Sequence, residues 1–361
     1  MTTFNRHSSG VPLHMDSDSD IDSVGEEPHD LEEIELELHD ISLLLNYERA
    51  STEPRFRHTK LREATTNKFS TIRFLSPQWT QVTRPKIGLV FDRAQQKKSS
   101  KDEPDLPSNM LPNIIRPNLS HLSVKELETY YWQVRNHDGC FTTVTLFQHF
   151  IDLFPESTQI RVRKVDNNKP IVYSMLASER LIVEMDLHEP HTVSMSVVLP
   201  DNVTYITGED PTMIHAVLGF SPPGSAIDTI DTILDLASLQ FGDVGRGNKG
   251  RSLFVLESTS QYANRLEKYA KSSNFENPKL SLRIRGTPKD DWLRAVAQRA
   301  KERWEKRATV PWCGHCGAPP SRDQNLKKCS KCKAAWYCDA DHQTAAWTFH
   351  KHFCKEVSDE K

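Results

Sequence analysis

The stretch from residue 313 to residue 354 contains a dense set of metal-binding side chains, which constrains the fold more than any other feature. Six of the seven cysteines lie there, and together with two of the histidines they form four regularly spaced pairs. A two-residue gap lets one tight turn direct both thiolates at one metal, and a three-residue gap places two ligands one helical turn apart. Eight such ligands predict two tetrahedral zinc sites. The pairs are Cys313-x2-Cys316, Cys329-x2-Cys332, Cys338-x3-His342 and His350-x3-Cys354.

Both zinc ions are expected to be structural. Four protein ligands fill each tetrahedral site, so no position remains for a substrate or a reactive water. The spacing does not decide which pairs share a metal, because sequential and interleaved filling both give two sites of four ligands. A segment this short cannot build its own core, so its folding depends on the metal.

The residues around the ligands resemble a MYND-type zinc finger over residues 313–354. The family usually has a cysteine at the position of His342, and histidine remains a competent zinc ligand. The resemblance rests on Tyr337-Cys338, His342-Gln343, Trp347, His350-Lys351 and Cys354. It implies an interleaved arrangement, with Cys313, Cys316, Cys338 and His342 on one zinc and Cys329, Cys332, His350 and Cys354 on the other.

The same resemblance implies that the finger binds partner proteins through a groove for short proline-containing peptides. Gln343 and Trp347 fall at positions that the family often uses for such contacts. A tryptophan on a helix fixed by metal offers a rigid apolar wall to an extended peptide, which loses little entropy on docking. The alternative role of Trp347 is to pack the small core of the finger.

Charge and hydropathy exclude some other function classes. The formal net charge is −3, so no global basic field attracts nucleic acid. The chain has no run of 18 apolar residues, and its N-terminus lacks an apolar signal core. Cysteines used for zinc fit a reducing compartment. We therefore expect an intracellular protein of the nucleus or the cytoplasm, with no membrane span and no nucleic-acid partner.

Composition and periodicity predict the organisation of the chain. The polar start is expected to be disordered, and the proline-containing stretch before residue 119 is typical of a linker. Residues 30–47 have apolar side chains at helical spacing, on a helix that either packs on its own protein or docks onto a partner. The predicted units are a disordered acidic segment 1–29, an amphipathic helix 30–47, an extended segment and linker 48–118, an α+β domain 119–287, a connecting helix 288–310 and the finger 313–354.

The central region is predicted to mix helices with a mainly antiparallel sheet. Ser123 and Glu126 form a capping box for a helix that ends near Arg135, and a second, apolar helix covers residues 141–154. Helices at 259–271 and 289–307 follow the strands. This order indicates the α+β class. Strands are predicted at 159–165, 171–176, 181–186, 192–199, 214–218 and 230–236.

One further set of residues suggests an enzyme. Cys140 is the only cysteine outside the finger, and it lies just before the second predicted helix, whose N-terminus stabilises a thiolate. His215 and Asp235 follow in later apolar runs, and this order weakly resembles papain-like and transglutaminase-like folds. The resemblance implies a thiol hydrolase or transamidase that uses these three residues, with the finger as a targeting module. The competing interpretation is a core cysteine and a satisfied sheet histidine.

We favour an adaptor that binds two structural zinc ions and recognises proteins through its finger, and we retain the thiol enzyme as the alternative. The two hypotheses differ in one distance. A catalytic Cys140 sulfur lies within about 4 Å of a histidine ring nitrogen, and a structural one need not.

Overall fold

Helices and strands are interspersed along the chain in the computed structural model, which describes residues 34–72, 76–93, 105–106, 110–111, 117–226, 229–286, 289–321 and 325–356. The acidic segment predicted at 1–29 lies outside the described residues. Of the extended segment and linker predicted at 48–118, residues 73–75, 94–104, 107–109 and 112–116 lie outside them as well. Within the described ranges, no helix is both long enough and apolar enough to cross a membrane.

The bounds of the elements are as follows. The helices are α1 (Leu38–Ser51), α2 (Ser76–Gln81), α3 (Val124–Arg135), α4 (Gly139–Ile151), α5 (Gly247–Gly250), α6 (Thr259–Tyr269), α7 (Asp290–Glu305) and α8 (Ala340–His350). The strands are β1 (Glu35–Glu37), β2 (Thr59–Thr65), β3 (Lys86–Arg93), β4 (Gln159–Asp166), β5 (Lys169–Leu176), β6 (Leu181–Pro190), β7 (Val193–Leu199), β8 (Val203–Thr207), β9 (Thr212–Phe220), β10 (Thr232–Asp235), β11 (Val255–Ser258), β12 (Ala270–Ser273), β13 (Lys279–Ser281), β14 (Lys327–Lys328) and β15 (Trp336–Tyr337).

The strands of the described ranges form three sheets and one short hairpin. The largest sheet has the order β11-β10-β9-β6-β12, and β13 also pairs with β6. A second sheet has the order β2-β3-β7-β8, and a third has β1-β4-β5. Two pairings are parallel, β1 with β4 and β3 with β7, and the other strand pairings are antiparallel. The α+β prediction is confirmed.

Helices cover both faces of the largest sheet because the side chains of β9 alternate between two cores. Leu218 and Phe220 face a core that also contains side chains of α1, α4 and α7. Phe147 of α4 is one of them. Val217 faces the other core, built with α6 and its Leu266. α6 follows β11 directly because Ser258 forms a capping box with Gln261, which ends the strand and starts the helix.

The helix predicted at 30–47 begins at Leu38 and ends at Ser51, so the predicted start was too early. Glu35–Glu37 pairs in parallel with β4, which draws this backbone into a sheet. Residues 30–33 lie outside the described residues. α1 is buried along most of its length, including the polar Asn46 and Arg49. Its apolar face therefore packs on its own protein.

The α+β region extends further toward the N-terminus than residue 119. β2 and β3 belong to a sheet whose other strands, β7 and β8, come more than 100 residues later in sequence. The parallel pairing of Lys86 with Val193 could not be predicted from local sequence patterns, because it joins segments that are distant in the chain. The helix predicted at 288–310 is α7, and its buried face, including Val296 and Ala300, belongs to the core.

Candidate metal centre

The first group of zinc ligands brings Cys313, Cys316, Cys338 and His342 together, with all ligand atoms within 4.8 Å of one another. The sulfurs of Cys316 and Cys338 are 3.7 Å apart, and the Cys313 sulfur lies 3.4 Å from Nδ1 of His342. A tetrahedral zinc with bonds of about 2.3 Å to sulfur separates its sulfur ligands by about 3.8 Å. The donor set and its spacing therefore fit zinc.

The second group contains Cys329, Cys332, His350 and Cys354 within the same 4.8 Å limit. The sulfurs of Cys329 and Cys354 are 3.9 Å apart, and the Cys332 sulfur lies 3.5 Å from Nε2 of His350. This group again offers three sulfurs and one imidazole nitrogen at the edges of a tetrahedron. The ligand pairs of the two sites alternate along the sequence. The chain segment between the two pairs of one site therefore contains a ligand pair of the other site.

Short backbone hydrogen bonds set the directions of the cysteines. The N–H of Cys329 donates to the carbonyl of Ala335 at 2.8 Å, which folds the second pair into a turn between β14 and β15. The N–H of Gly314 donates to the carbonyl of Trp336 at 2.7 Å, which brings the first pair beside the same hairpin. One hairpin therefore positions cysteines for both metals.

α8 supplies one histidine to each site. Asp339 caps the helix by accepting from the N–H of His342 at 2.8 Å, which fixes the first turn where that ligand lies. His350 is the last residue of the same helix. The two histidines use different ring atoms, Nδ1 for His342 and Nε2 for His350.

Glu128 on α3 contacts the zinc ligand His342 from outside the finger. Its carboxylate lies 3.5 Å from Nε2 of His342 and 3.2 Å from Nε2 of His315. The guanidinium of Arg246 donates to the same carboxylate at 2.8 Å. Burial raises the pKa of Glu128, but the hydrogen bonds from both histidines and the charge of Arg246 outweigh burial and hold that pKa well below its usual range.

This contact explains how histidine works at a position where the family usually has cysteine. Nδ1 of His342 faces the metal group, so the ring proton belongs on Nε2, which points to Glu128. A carboxylate that accepts from the far nitrogen of a zinc-bound imidazole fixes the tautomer and makes the ligand more basic. Glu128 carried no local signal in the sequence, since its role depends on the packing of α3 against the finger.

We expect Glu128→Ala to weaken zinc binding at the first site about 10- to 100-fold, because His342 loses the acceptor that orients its ring. The second site should be unchanged and serves as the internal control. Release of each zinc to a chromogenic chelator measures both affinities in one sample. Glu128→Gln retains an acceptor oxygen and should have a smaller effect. Equal release from both sites in Glu128→Ala would contradict the assigned role.

The finger packs tightly against α1 and α7. Gly317 has a φ of +76°, and a side chain there would overlap the carbonyl oxygen of Leu43 on α1. Arg303 of α7 donates to the carbonyl of Gly317 at 2.6 Å and to Glu48 of α1 at 2.9 Å. Four zinc-ligand cysteines share one hydrophobic cluster with Tyr47, Tyr131 and Trp132. The finger is therefore an integral part of the described fold.

A cleft of about 390 Å³ lies beside the second zinc site, between the finger, α1 and β4. The ring of His39 stacks on Phe349 of α8 at 4.1 Å, and the Arg163 guanidinium lies 5.3 Å from the centre of the Phe353 ring. The cleft thus combines aromatic walls with charged groups of both signs, because Asp40 lines it as well and lies 3.6 Å from the Arg163 guanidinium. Its charged and aromatic lining includes Arg163, Arg307, Lys355, Trp312, Trp336, Phe349 and Phe353.

Gln343 and Trp347 lie one turn apart on α8, outside the lining of this cleft. Trp347 is 40% exposed, and its indole lies 5.8 Å from the ring of His350. Gln343 is half-buried. The exposed fraction of Trp347 is too large for a residue whose role is to fill the core of the finger.

The structure also brings Cys140, His215 and Asp235 together. Nε2 of His215 lies 2.8 Å from the Asp235 carboxylate, and the Cys140 sulfur lies 3.8 Å from the carbonyl oxygen of Ile214, the residue before His215. Gln240 contacts Nδ1 of His215 at 3.1 Å, and the hydroxyl of Tyr262 lies 3.2 Å from Nε2. These side chains are all buried. Cys140 is the second residue of α4, whereas the prediction placed it just before the helix.

The comparisons with known proteins concern the C-terminal part of the chain. The family model described as MYND finger matches residues 313–354. The MYND-type zinc finger proteins samB of Aspergillus terreus and Neosartorya fischeri are 28% identical over 78 residues, which is 21% of this chain and 13% of their own length. A SET and MYND domain-containing protein of Dictyostelium discoideum is 51% identical over 35 residues, 10% of this chain and 6% of its own length. No solved structure matches the chain significantly.

Residues 313–354 are therefore a MYND-type finger with two zinc sites, as predicted. The MYND finger is a zinc-binding module for protein–protein interaction. The matches cover only a small part of each relative, and they leave the role of the α+β region open.

Proposed function

We propose that this protein is an adaptor that recognises short proline-containing peptides of its partners through the exposed face of α8. The observation that carries the proposal is the exposed indole of Trp347, one turn from Gln343 on a helix whose two ends are fixed by separate metals. The surface is rigid before the partner arrives, so docking costs little entropy on the side of the protein.

The chemistry of this face suits an extended peptide that contains proline. A proline ring packs flat against an indole, and the polyproline II conformation leaves backbone carbonyls free to accept hydrogen bonds. Gln343 lies four residues before Trp347, so its side-chain amide is on the same side of the helix and is suited to donate to such a carbonyl. The indole supplies the apolar contact, and the hydrogen bond from the amide determines which residue of the peptide lies against the indole.

We expect Trp347→Ala to weaken peptide binding at least tenfold, because an anchoring tryptophan contributes about 2 kcal/mol or more to an interface. Both zincs should remain, since the indole is not a ligand and is partly exposed. Fluorescence anisotropy with a panel of proline-containing peptides, together with zinc analysis of the full chain, measures both quantities.

Two variants control this experiment. Trp347→Phe retains an aromatic wall and should bind more tightly than Trp347→Ala. Leu282→Ala removes another exposed apolar side chain, on a residue outside the finger, and should bind like the unmodified chain. Loss of zinc and of peptide binding together in Trp347→Ala would instead assign the indole to the stability of the finger.

We also propose that the adaptor acts in the nucleus or the cytoplasm, where thiols remain reduced and available to zinc. Imaging of a tagged full-length chain in its own cells tests this location. Accumulation in an oxidising compartment would contradict it.

A further inference from the structure

We propose that Glu128, His315 and His342 form a third metal site, which binds an exchangeable zinc ion between α3 and the finger. This inference does not depend on the peptide-binding function proposed for α8. It rests on three side chains whose ligand atoms all lie within 4.8 Å of one another. Of the three, only His342 also belongs to one of the two structural zinc sites.

The distances between the ligand atoms suit zinc. Oε1 of Glu128 lies 3.2 Å from Nε2 of His315 and 3.5 Å from Nε2 of His342. The two imidazole rings are 4.7 Å apart and tilted by 56°, so they converge on the carboxylate instead of stacking. A tetrahedral zinc with bonds of about 2.0–2.1 Å to nitrogen and oxygen separates neighbouring ligand atoms by about 3.3 Å. An ion therefore enters this cluster with only small movements of the side chains.

The two oxygens of Glu128 have separate partners. Oε1 faces both imidazoles, whereas Oε2 accepts from the guanidinium of Arg246 at 2.8 Å. Arg246 is buried and also donates to the hydroxyl of Thr129 at 2.9 Å, so its own position is fixed. A carboxylate held in this way is oriented to present its other oxygen to a metal.

Each nitrogen of the His342 ring faces a different group of ligands. Nδ1 faces the first zinc site, and Nε2 faces Glu128. The third ion replaces the proton on Nε2, which leaves to the solvent, and the ring then bridges two metals. The hydrogen-bonded cluster and the metal-bound cluster are thus two states of the same side chains.

The charge of the cluster favours a cation. Three thiolates exceed the charge of the zinc ion in the first site, and the positive charge of Arg246 offsets that of Glu128. The cluster therefore keeps a net negative charge. Water screens this charge poorly, because His315 is only 4% exposed. A divalent ion that replaces one proton neutralises the excess.

The donor set selects the kind of metal. Two imidazole nitrogens and one carboxylate oxygen suit zinc, whereas calcium and magnesium prefer oxygen ligands. Three protein ligands leave the fourth tetrahedral position to water. The side chain of His342 is 22% exposed, so solvent is close to that position. We therefore expect this zinc to exchange with the solution more readily than the two that have four protein ligands each.

The third ion would connect parts of the chain that are distant in sequence. Glu128 belongs to α3, and His315 lies between the first two cysteines of the finger. Because the ion binds only where these parts meet, it stabilises the folded chain by mass action. The attachment of the finger to α3 thereby depends on the concentration of available zinc.

The test uses the full chain with its two structural zincs, dialysed against zinc at concentrations fixed by a chelating buffer. We expect a third zinc per chain as the concentration rises, and a melting temperature that rises with it. Co²⁺ added to the two-zinc chain should give the visible bands of a nitrogen and oxygen site, without the sulfur-to-metal charge-transfer band of a cysteine site. A stoichiometry that stays at two would overturn the proposal, and so would cobalt that enters only the cysteine sites.

Two variants and one control locate the third ion. His315→Gln and Glu128→Gln retain polar side chains of similar size, and both should lose the third zinc while the two structural zincs remain. His121→Ala removes an exposed histidine outside the cluster and should bind three zincs, like the unmodified chain. A third zinc that persists in both Gln variants would show adventitious binding and overturn the proposal. Loss of the third zinc in His121→Ala would overturn it as well.

Discussion

Removal of zinc is expected to unfold residues 313–354 and also to destabilise the α+β region around them. Each structural zinc contributes about 10 kcal/mol or more to a finger of this size, which has few apolar residues of its own. Four of the ligand cysteines lie in one hydrophobic cluster with Tyr47 of α1 and Trp132 of α3. Loss of the metal therefore exposes apolar surface on both sides of that contact.

Metal analysis of the purified chain should give two zincs per molecule, and a strong chelator should remove them with a loss of helical circular dichroism. Protease should then cut first within the finger. His342→Ala should lose one zinc, and His342→Cys should keep both because a thiolate can replace the imidazole. Two zincs in His342→Ala would show that His342 is not a ligand.

The zinc ligands could be predicted from the sequence because the two members of each ligand pair are only three or four positions apart. Each pair lies within one turn of backbone, so the spacing of Cys329 and Cys332 alone predicts that both bind a metal, without knowledge of any tertiary contact. The strands and helices of the central region were also close to their predicted places, since hydrophobic periodicity is local as well. The N-terminus of α4 differs from its prediction by two residues.

The parts that could not be predicted depend on segments distant in sequence. The support of His342 by Glu128 joins residues more than 200 positions apart, and neither position has a pattern of its own. The pairing of β3 with β7 is of the same kind. The order of Cys140, His215 and Asp235 suggested a triad, but only the fold places Asp235 against His215 and Cys140 against the neighbouring residue Ile214.

The second large effect is expected at Gly317, where the finger meets α1. Gly317→Ala should lower the free energy of unfolding by about 3 kcal/mol, from roughly 1–2 kcal/mol for a side chain in the left-handed region and the rest from overpacking. The new methyl group would lie 2.9 Å from Cβ of Tyr47 and would overlap the Leu43 carbonyl. The melting temperature should fall by about 4 °C, because the entropy of unfolding grows with the length of the chain.

Gly224→Ala is the matched control because Gly224 has a similar φ of +82° and no atom within 4 Å of the position of the new methyl group. Gly224→Ala places a side chain in the left-handed region without a steric clash. It should therefore lower the free energy of unfolding by about half as much as Gly317→Ala, or less. The difference in the free energy of unfolding between the two variants measures the cost of the steric clash between the finger and α1. An equal loss of stability in both would show that the backbone conformation alone sets the cost. A larger loss in Gly317→Ala would show that the close contact of Gly317 with Leu43 and Tyr47 of α1 is needed for stability.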